Sequence, residues 1–286
     1  MIPNKAVVTA ASPTEHHLPL QTLVDSEGLA KTALEIILDD IFAAGLESVA
    51  IVIHPGTREA YLDAAGSHAE RLTLIEQKGP RGYGHAVWCA REFTGGDPFV
   101  LLVSDHLYLS CEESSCVRQL LALAASHDGC VSAVNPTHES KLHLYGTIGA
   151  TRVPASPSIF EVNTVIEKPT PTLAEQELII PGLRAGNYLC FFGMHSLTSA
   201  VMEHLDTLVS KMGESGVLGL TPTLAHLAKS EKYLATELAG QRFNIGERYG
   251  LLKAQLSLAL AGPHRDEVLT DLIEITAHSR PGCQSS

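Results

Sequence analysis

The chain is poor in positive charge. Its 286 residues include 20 lysines and arginines against 32 aspartates and glutamates, which gives a formal net charge of −12. A protein surface that binds DNA or RNA needs a basic face to neutralise the phosphates. The balance therefore argues against a nucleic-acid partner. It does not exclude a nucleotide, which needs only one or two local positive groups.

Long apolar runs are also missing. No run approaches the ~18 residues of a membrane-spanning helix. The N-terminal stretch "MIPNKAVVTA" lacks the layout of a signal peptide, because its apolar run is short and has the pattern of a strand. We therefore expect no membrane partner and a cytoplasmic location.

Signatures of disulfides and metal sites are absent too. The six cysteines are scattered, and the nearest two, Cys111 and Cys116, do not form a CxxC pair. The fourteen histidines include no HExxH motif. The adjacent pair His16 and His17 is more typical of a solvated loop than of metal ligands.

What the sequence does contain is an alternation of apolar strands and amphipathic helices. Strand patterns such as "KAVVTA", "SVAIVIH" and "PFVLLVS" are separated by helical ones. Residues 28–46 predict one long helix, with an apolar face made of Leu29, Leu34, Ile37, Leu38, Ile41 and Phe42. This rhythm predicts a mainly parallel sheet with helices on both faces and a ligand site at the carboxyl ends of the strands.

The second half is less regular. "YGTIGA" and "SIFEVNTVIEKP" predict antiparallel strands, so we expect a mixed sheet. No linker divides the two halves. We predict one α/β domain over residues 1–262, followed by a C-terminal helix and a loose tail over 263–286.

The first strand leads into a loop of unusual composition. Nucleotide-binding domains usually hold phosphate here with glycines and a basic side chain. Between Ala6 and Gly28 this chain has no glycine, arginine or lysine. The absence of these residues predicts weak binding of a polyphosphate.

Five ordered pieces of sequence carry a family resemblance. They are "EQKGPRGYGHAVWCARE", "LYGTIGA", "IEKP", "AGNYL" and "RFNIGERYGLLKAQ". In this order and at these spacings the chain resembles the bacterial UTP–glucose-1-phosphate uridylyltransferases, from Lys5 to about Gln255. The resemblance implies a single-domain, Rossmann-like mixed sheet of the glycosyltransferase-A type, as in the nucleotide-diphospho-sugar transferases. It also implies transfer of UMP from UTP to glucose-1-phosphate, with release of pyrophosphate and formation of UDP-glucose.

The base-binding side is expected in residues 77–85. The Gln77 amide offers a donor and an acceptor for a uracil edge, although it could equally cap the loop. Gly82 and Gly84 would let the backbone approach the base or ribose closely. His85 could contact the ligand, or it could belong to the start of the following helix.

The resemblance places a metal site at Asp105, which follows the strand "PFVLLVS", and at Asn244. A carboxylate there can hold Mg²⁺ against phosphate oxygens, although Asp105 could also cap the next loop. The second acidic residue that often follows in the family is His106 here. Asn244 stands where the family commonly has aspartate, so the implied Mg²⁺ site is short of negative charge.

The sugar side is expected around "IEKP". By resemblance, Glu167 accepts sugar hydroxyls and Lys168 meets the sugar phosphate, which makes Lys168 and Asp105 the catalytic candidates. An exposed charge pair is the alternative. Pro169 restricts the residue before it, so we expect Lys168 to be extended. The resemblance adds two further pairs to the sugar side, Tyr145–Gly146 and Gly186–Asn187.

The departures from the family concentrate on the phosphate chemistry. Glu15 follows Thr14 where the family has an arginine, and "VLGLTPT" replaces an acidic segment. A transition-state arginine is worth ~10³–10⁵ in rate, so its loss predicts impaired or lost catalysis.

Three functions remain open at this point. The chain is an active uridylyltransferase that uses His16, His17 or Lys168 in place of the missing cations; a non-catalytic binding or regulatory homologue for a nucleotide sugar; or a glycosyltransferase. Its expected partners are UTP, glucose-1-phosphate or UDP-glucose, with a homo-oligomer implied by the family. The sequence leaves the base and the sugar open.

Overall fold

A computed structural model describes residues 2–213 and 216–278. The first apolar run forms strand β1 (Lys5–Ala10). Ala6, Val7 and Val8 have no exposed surface. The other strands are β2 (Thr22–Val24), β3 (Ala30–Thr32), β4 (Ser48–Ile53), β5 (Leu72–Glu76), β6 (Phe99–Val103), β7 (His106–Ser110), β8 (Val131–His138), β9 (Gly146–Arg152), β10 (Ile159–Glu167), β11 (Asn187–Leu197), β12 (Leu234–Glu237) and β13 (Gly240–Asn244).

Helices alternate with these strands, most regularly in the first half. They are α1 (Ala33–Ala43), α2 (Arg58–Ala64), α3 (Tyr83–Cys89), α4 (Arg91–Thr94), α5 (Cys116–Ala125), α6 (Pro171–Glu177), α7 (Ser199–Lys211), α8 (Thr221–Ser230), α9 (Gly250–Ala261) and α10 (Arg265–His278). Short 3-10 turns cover Leu18–Leu20, Gly66–Arg71 and Glu139–Leu144.

Nine strands of the described chain form one sheet, in the order β5-β4-β1-β6-β11-β8-β12-β10-β9. The pairs within β5-β4-β1-β6 are parallel, whereas β11 is antiparallel to both β6 and β8. Strands β9 and β10 form the predicted antiparallel pair. The prediction of a mixed sheet with a parallel first half is confirmed.

The two faces of the sheet carry separate apolar cores. Alternate residues of β1 point to opposite faces, so Ala6 and Val8 join one core while Val7 joins the other. Helices α1 and α5 pack on the first face, and α3, α7 and α8 pack on the second. A strand buried on both faces explains the unbroken apolar runs of the sequence.

The prediction of one helix over residues 28–46 is wrong at its start. Residues Ala30–Thr32 form β3, which pairs with β2 in a small hairpin. Helix α1 begins only at Ala33, because the Thr32 hydroxyl caps it by accepting a hydrogen bond from the Glu35 amide at 3.0 Å. Leu29, predicted on the buried helical face, is 57% exposed.

A second small sheet pairs β7 with β13 in antiparallel register and brings Asn244 opposite His106. Helix α9 then begins at Gly250, where an added Cβ would collide with the Asn244 carbonyl. Helix α10 has no buried residue. The domain division at residue 262 stays a prediction, and most of the predicted tail, residues 279–286, lies outside the described residues. Within the described residues, no helix is both long enough and apolar enough to span a membrane.

A buried hydrogen-bond network of three side chains lies within the core of the sheet. The Ser132 hydroxyl lies 2.5 Å from His195 Nδ1 and 2.5 Å from the Tyr233 hydroxyl, and His195 is only 3% exposed. Burial lowers the pKa of His195 from 6.5 to about 4. The imidazole is therefore neutral in the folded protein at pH values where the unfolded chain is already protonated.

This shift predicts a loss of stability in mild acid. Between pH 6.5 and about 4 the unfolded state binds a proton at His195 that the folded state does not, so the free energy of unfolding falls as the pH falls. Once the pH is below the folded-state pKa of His195, the free energy of unfolding has fallen by about 3 kcal/mol in total. His195→Gln should flatten this part of the pH dependence in urea unfolding measured from pH 7.5 to 5.

The matched control is His143→Gln, at an exposed histidine. It should keep the wild-type slope. Equal slopes in the wild type and His195→Gln would show that His195 does not titrate differently in the two states.

Candidate functional site

A cavity of about 440 Å³ opens at the carboxyl ends of β1 and β6 and just beyond β5. Residues 9–11, 77 and 103–105 line it, together with the loop after β1 and the start of α3. This is the edge where a parallel α/β sheet binds ligands. The position predicted from the order of strands is thus where a cavity forms.

The loop after β1 is held by its own hydrogen bonds. The Glu15 amide donates to the Ser12 hydroxyl at 3.3 Å, and the His16 amide donates to the Ser12 carbonyl at 3.2 Å. The His16 ring stacks on His54 at 4.7 Å between centroids, and its carbonyl accepts a hydrogen bond from the Tyr61 hydroxyl at 2.6 Å. The loop amides at Glu15 and His16 are therefore satisfied internally.

The charge that this loop brings to the cavity is negative. Glu15 lines the cavity together with Asp105, whereas neither His16 nor His17 does. No lysine or arginine is among the described residues that line it. Two carboxylates disfavour the entry of a polyphosphate.

Gln77 lies at the cavity wall and is 5% exposed. Its amide nitrogen lies 3.1 Å from the Gly82 carbonyl and 3.0 Å from His85 Nδ1. The two N–H groups are thus used inside the protein, which leaves the Gln77 carbonyl as an acceptor. A uracil N3–H would match that acceptor, and the base-binding role of Gln77 stays a prediction.

His85 belongs to a buried network rather than to the lining of the cavity. Burial, reinforced by the positive charges of Arg81 and Arg91, lowers the pKa of His85. The imidazole is therefore neutral at pH 7, and Nδ1 accepts the hydrogen bond from Gln77. The geometry favours the structural alternative for His85.

Gly82 and Gly84 have a packing reason to be glycine. Gly82 has φ +91°, and a Cβ added there would lie 2.5 Å from the Leu218 carbonyl oxygen. A Cβ on Gly84 would lie 2.4 Å from the Gly219 carbonyl oxygen. The Gly84 amide also donates to the Leu218 carbonyl at 2.9 Å. The close approach is thus to residues 218–219, and only Gly82 of the two glycines also lines the cavity.

Asp105 is at the cavity edge and pairs with His106, whose Nδ1 lies 2.9 Å from Asp105 Oδ1. Burial by itself would raise the pKa of Asp105, but the charge and hydrogen bond of His106 and the charge of Lys168 outweigh it. The pKa of Asp105 is consequently lowered, and the carboxylate is ionised at neutral pH. Lys168 is therefore within electrostatic reach of Asp105.

The prediction of an extended Lys168 is wrong. Lys168 has φ +46°, in the left-handed region that is uncommon for residues with a side chain. Its amide donates to the Tyr145 carbonyl at 3.2 Å, which holds the turn between β10 and Pro169. The hydrogen bond to Tyr145 stabilises this conformation although a residue before proline prefers extended backbone.

Glu167 and Gly146 also come together. The Glu167 carboxylate accepts a hydrogen bond from the Thr221 hydroxyl at 2.6 Å, and a Cβ on Gly146 would lie 3.2 Å from it. Gly186 and Asn187 lie at the start of β11, where the Gly186 carbonyl accepts a hydrogen bond from the Glu139 amide, and neither residue lines the cavity at the strand ends. The sugar-binding roles of all four residues remain predictions.

Asn244 lies opposite His106 in the pairing of β13 with β7. Its Oδ1 accepts a hydrogen bond from the Gly246 amide at 2.8 Å, and the residue is part of the lining of a different cavity. Among the residues that the structure describes, no group of three or more His, Cys, Asp or Glu side chains is placed to hold a metal ion. The metal-binding roles of Asp105 and Asn244 stay predictions.

Sequence reasoning missed two groups of functional interest. Tyr83 and Ser104 line the cavity beside the predicted residues. Arg242 lies two residues before Asn244 on β13 and stacks on the Tyr145 ring, with its guanidinium carbon 3.7 Å from the centroid. The period-2 alternation of a strand puts Arg242 and Asn244 on one face, and this signal was available in the sequence.

These features define a class of protein. The chain combines a mixed sheet, parallel over β5-β4-β1-β6, with a cavity at the strand ends that Gln77 and Gly82 line, as in Rossmann-like nucleotide-binding folds. A model of the nucleotidyl transferase family matches residues 26–256, and the chain belongs to that family.

Similar proteins agree with this assignment over nearly the whole chain. UTP–glucose-1-phosphate uridylyltransferase 1 of Staphylococcus saprophyticus is 24% identical over 94% of this chain and 97% of its own length. The corresponding enzyme of Bacillus subtilis is 25% identical over 94% and 96%. A crystal structure of UDP-glucose pyrophosphorylase complexed with UDP-glucose has a TM-score of 0.72, with 21% identity, and covers 90% of this chain and 98% of that one. The predicted fold class and family resemblance are confirmed.

The packing of Gly84 gives a direct test of this wall. Gly84→Ala should force the 218–219 segment outward, at a cost of about 1–3 kcal/mol in the free energy of unfolding. Urea unfolding measures the effect.

Gly219→Ala is the control, since the nearest atom to its added Cβ is the Pro222 Cδ at 3.7 Å. That variant should remain within a few tenths of a kcal/mol of the wild type, as usual for a substitution without steric conflict. Two variants of equal stability would contradict the packing argument.

Proposed function

We propose that this chain binds UDP-glucose or a related uridine nucleotide sugar in the cavity at the strand ends, and that its uridylyl transfer is strongly impaired. The named activity of the relatives and the UDP-glucose complex of a structural neighbour support the ligand class. The observation that supports impaired transfer is that Glu15 and Asp105 line the cavity while no lysine or arginine is among its described lining residues.

Charge decides between a triphosphate and a sugar nucleotide. In phosphoryl transfer the protein mainly positions the groups and neutralises their charge. Here His106 is already paired with Asp105, and Lys168 is the lysine whose charge reaches Asp105, while Glu15 adds a second negative charge to the cavity. A UTP tail carries more negative charge than the diphosphate of UDP-glucose. The cavity therefore disfavours the substrate triphosphate more than the product.

The remaining residues of the site suit binding. In this proposal the Gln77 carbonyl accepts a uracil N–H, since its N–H groups are used inside the protein, and the Glu167 carboxylate accepts sugar hydroxyls. Lys168 supplies the positive charge for the phosphate nearest the sugar. If transfer occurs, Lys168 must also stabilise the charge that develops on the transferred phosphoryl group, without the second cation that such a step normally uses.

Phosphoryl transfer usually uses a divalent metal ion to neutralise the phosphate charge. Mg²⁺ is bound in such sites by one or two carboxylates and the substrate phosphates. Asp105 offers one carboxylate. Asn244 is a poor partner for it, because its amide oxygen is neutral and already accepts a hydrogen bond from the Gly246 amide. We therefore assign no step to a metal held between these two residues. The predictions of a cytoplasmic location and of a homo-oligomer stand as made from the sequence.

Restoring positive charge should restore transfer. Glu15→Arg should raise the rate of pyrophosphate release from UTP and glucose-1-phosphate by at least about tenfold, a small part of the ~10³–10⁵ that a transition-state arginine supplies. The gain is limited because the loop still lacks glycines. Binding of UTP, measured by calorimetry, should strengthen in the same variant, while binding of UDP-glucose should change less.

Glu203→Arg, on the exposed face of α7, makes the same change in net charge away from the cavity and should leave the rate unchanged. Turnover by the wild type at the usual enzymatic pace, about 1–10³ s⁻¹, would reject impaired catalysis. If UDP-glucose, UTP and UMP all fail to bind the wild type, the binding proposal fails as well.

A further inference from the structure

A second cavity, of about 290 Å³, lies between the end of β8, strand β13 and the start of α9. It shares no lining residue with the nucleotide cavity, and neither Glu167 nor Lys168 lines it. Tyr145 forms one wall. The volume suits inorganic phosphate or the phosphoryl end of a small ester, since sites for drug-sized ligands begin at about 300 Å³.

The lining of this cavity is basic, in contrast to the chain as a whole. Lys141, Arg242 and Lys253 face one acidic residue, Glu247, which leaves a local charge of about +2 in a protein of net charge −12. Glu247 is already engaged. It accepts a hydrogen bond from the Tyr145 hydroxyl at 2.7 Å and lies 3.8 Å from Lys141 Nζ.

Arg242 is the central group. Its guanidinium stacks on the Tyr145 ring, and Nη2 donates to the Thr137 hydroxyl at 3.2 Å. Its Nη1 is buried and has no hydrogen-bond partner, and the negative charge of Glu247 acts on the guanidinium. A buried N–H without a partner is costly, so an anion that enters the cavity would meet an unsatisfied donor.

Amide donors complete the lining. Asn135 and Asn244 both line the cavity. Because Asn244 Oδ1 accepts from the Gly246 amide, its NH₂ group is left as a donor. The donor set of one guanidinium, two ammonium groups and carboxamides suits a tetrahedral dianion better than a cation or an apolar molecule.

We propose that this cavity binds phosphate or the phosphoryl group of a small ester, with Arg242, Lys141 and Lys253 as its ligands. The site is distinct from the nucleotide cavity and does not depend on the function proposed above. A phosphate of charge about −2 balances the lining charge of about +2. Tyr145 connects the two regions, because its ring supports Arg242 while its carbonyl accepts the Lys168 amide.

The test is a titration of the full chain with inorganic phosphate, at constant ionic strength with chloride as the balancing anion. Calorimetry should show saturable binding at one site. Lys253→Ala and Arg242→Gln should each weaken that binding by about tenfold or more, the loss expected for one hydrogen bond to a charged group. Lys253 is exposed, so its variant tests the proposal even if Arg242→Gln does not fold.

Lys211→Ala is the matched control, at an exposed lysine on the last turn of α7. It should bind phosphate as the wild type does. The proposal is overturned if the wild type shows no saturable binding, if Lys253→Ala binds as tightly as the wild type, or if Lys211→Ala loses as much. Titration with UDP-glucose in the same variants separates the two sites, since Lys253→Ala should leave UDP-glucose binding unchanged.

Discussion

Backbone hydrogen bonds join β1 to β4 on one side and to β6 on the other, in parallel register along its length. Because side chains of β1 are buried on both faces, this trio cannot shift by one residue without moving apolar groups out of one core and into the other. All three strands therefore end at the same edge of the sheet, where Thr9 and Asp105 emerge next to one another in the cavity lining. The other half of the sheet, which begins with β11 and is mostly antiparallel, adds Glu167 and Lys168 at the end of β10.

Charge is distributed unevenly around this frame. The cavity at the end of β1 receives Glu15 and Asp105, whereas three basic side chains collect beyond Tyr145 on the side of β13. A loop with glycines and an arginine would offer free amides and a fork of donors to a polyphosphate. In this chain the Ser12 hydroxyl and carbonyl satisfy the first loop amides instead. The fold of the family is kept while the electrostatics of its phosphate end are altered.

Motif residues have structural reasons of their own, and these limit what a motif alone can say about binding. Gly82 and Gly84 make room for the 218–219 backbone, and His85 completes the hydrogen bonding of Gln77. The same contacts shape the wall of the cavity, so packing and function are not exclusive here. Lys168 shows the opposite case, in which a backbone contact to Tyr145 imposes a conformation that its neighbour Pro169 disfavours.

Hydrophobic periodicity in the sequence was sufficient to predict the main alternation of strands and helices, the parallel first half, the mixed sheet and the edge of the sheet at which the cavity opens. These features follow from local pattern and from the short list of topologies that such a pattern allows. The hairpin of β2 and β3, the pairing of β7 with β13 and the left-handed Lys168 were decided only in the tertiary structure. The same holds for the cavity around Arg242, whose lining comes from β8, β13 and α9, about 100 residues apart in the chain. Contacts over such distances depend on how the elements pack, and no local pattern of residues encodes them.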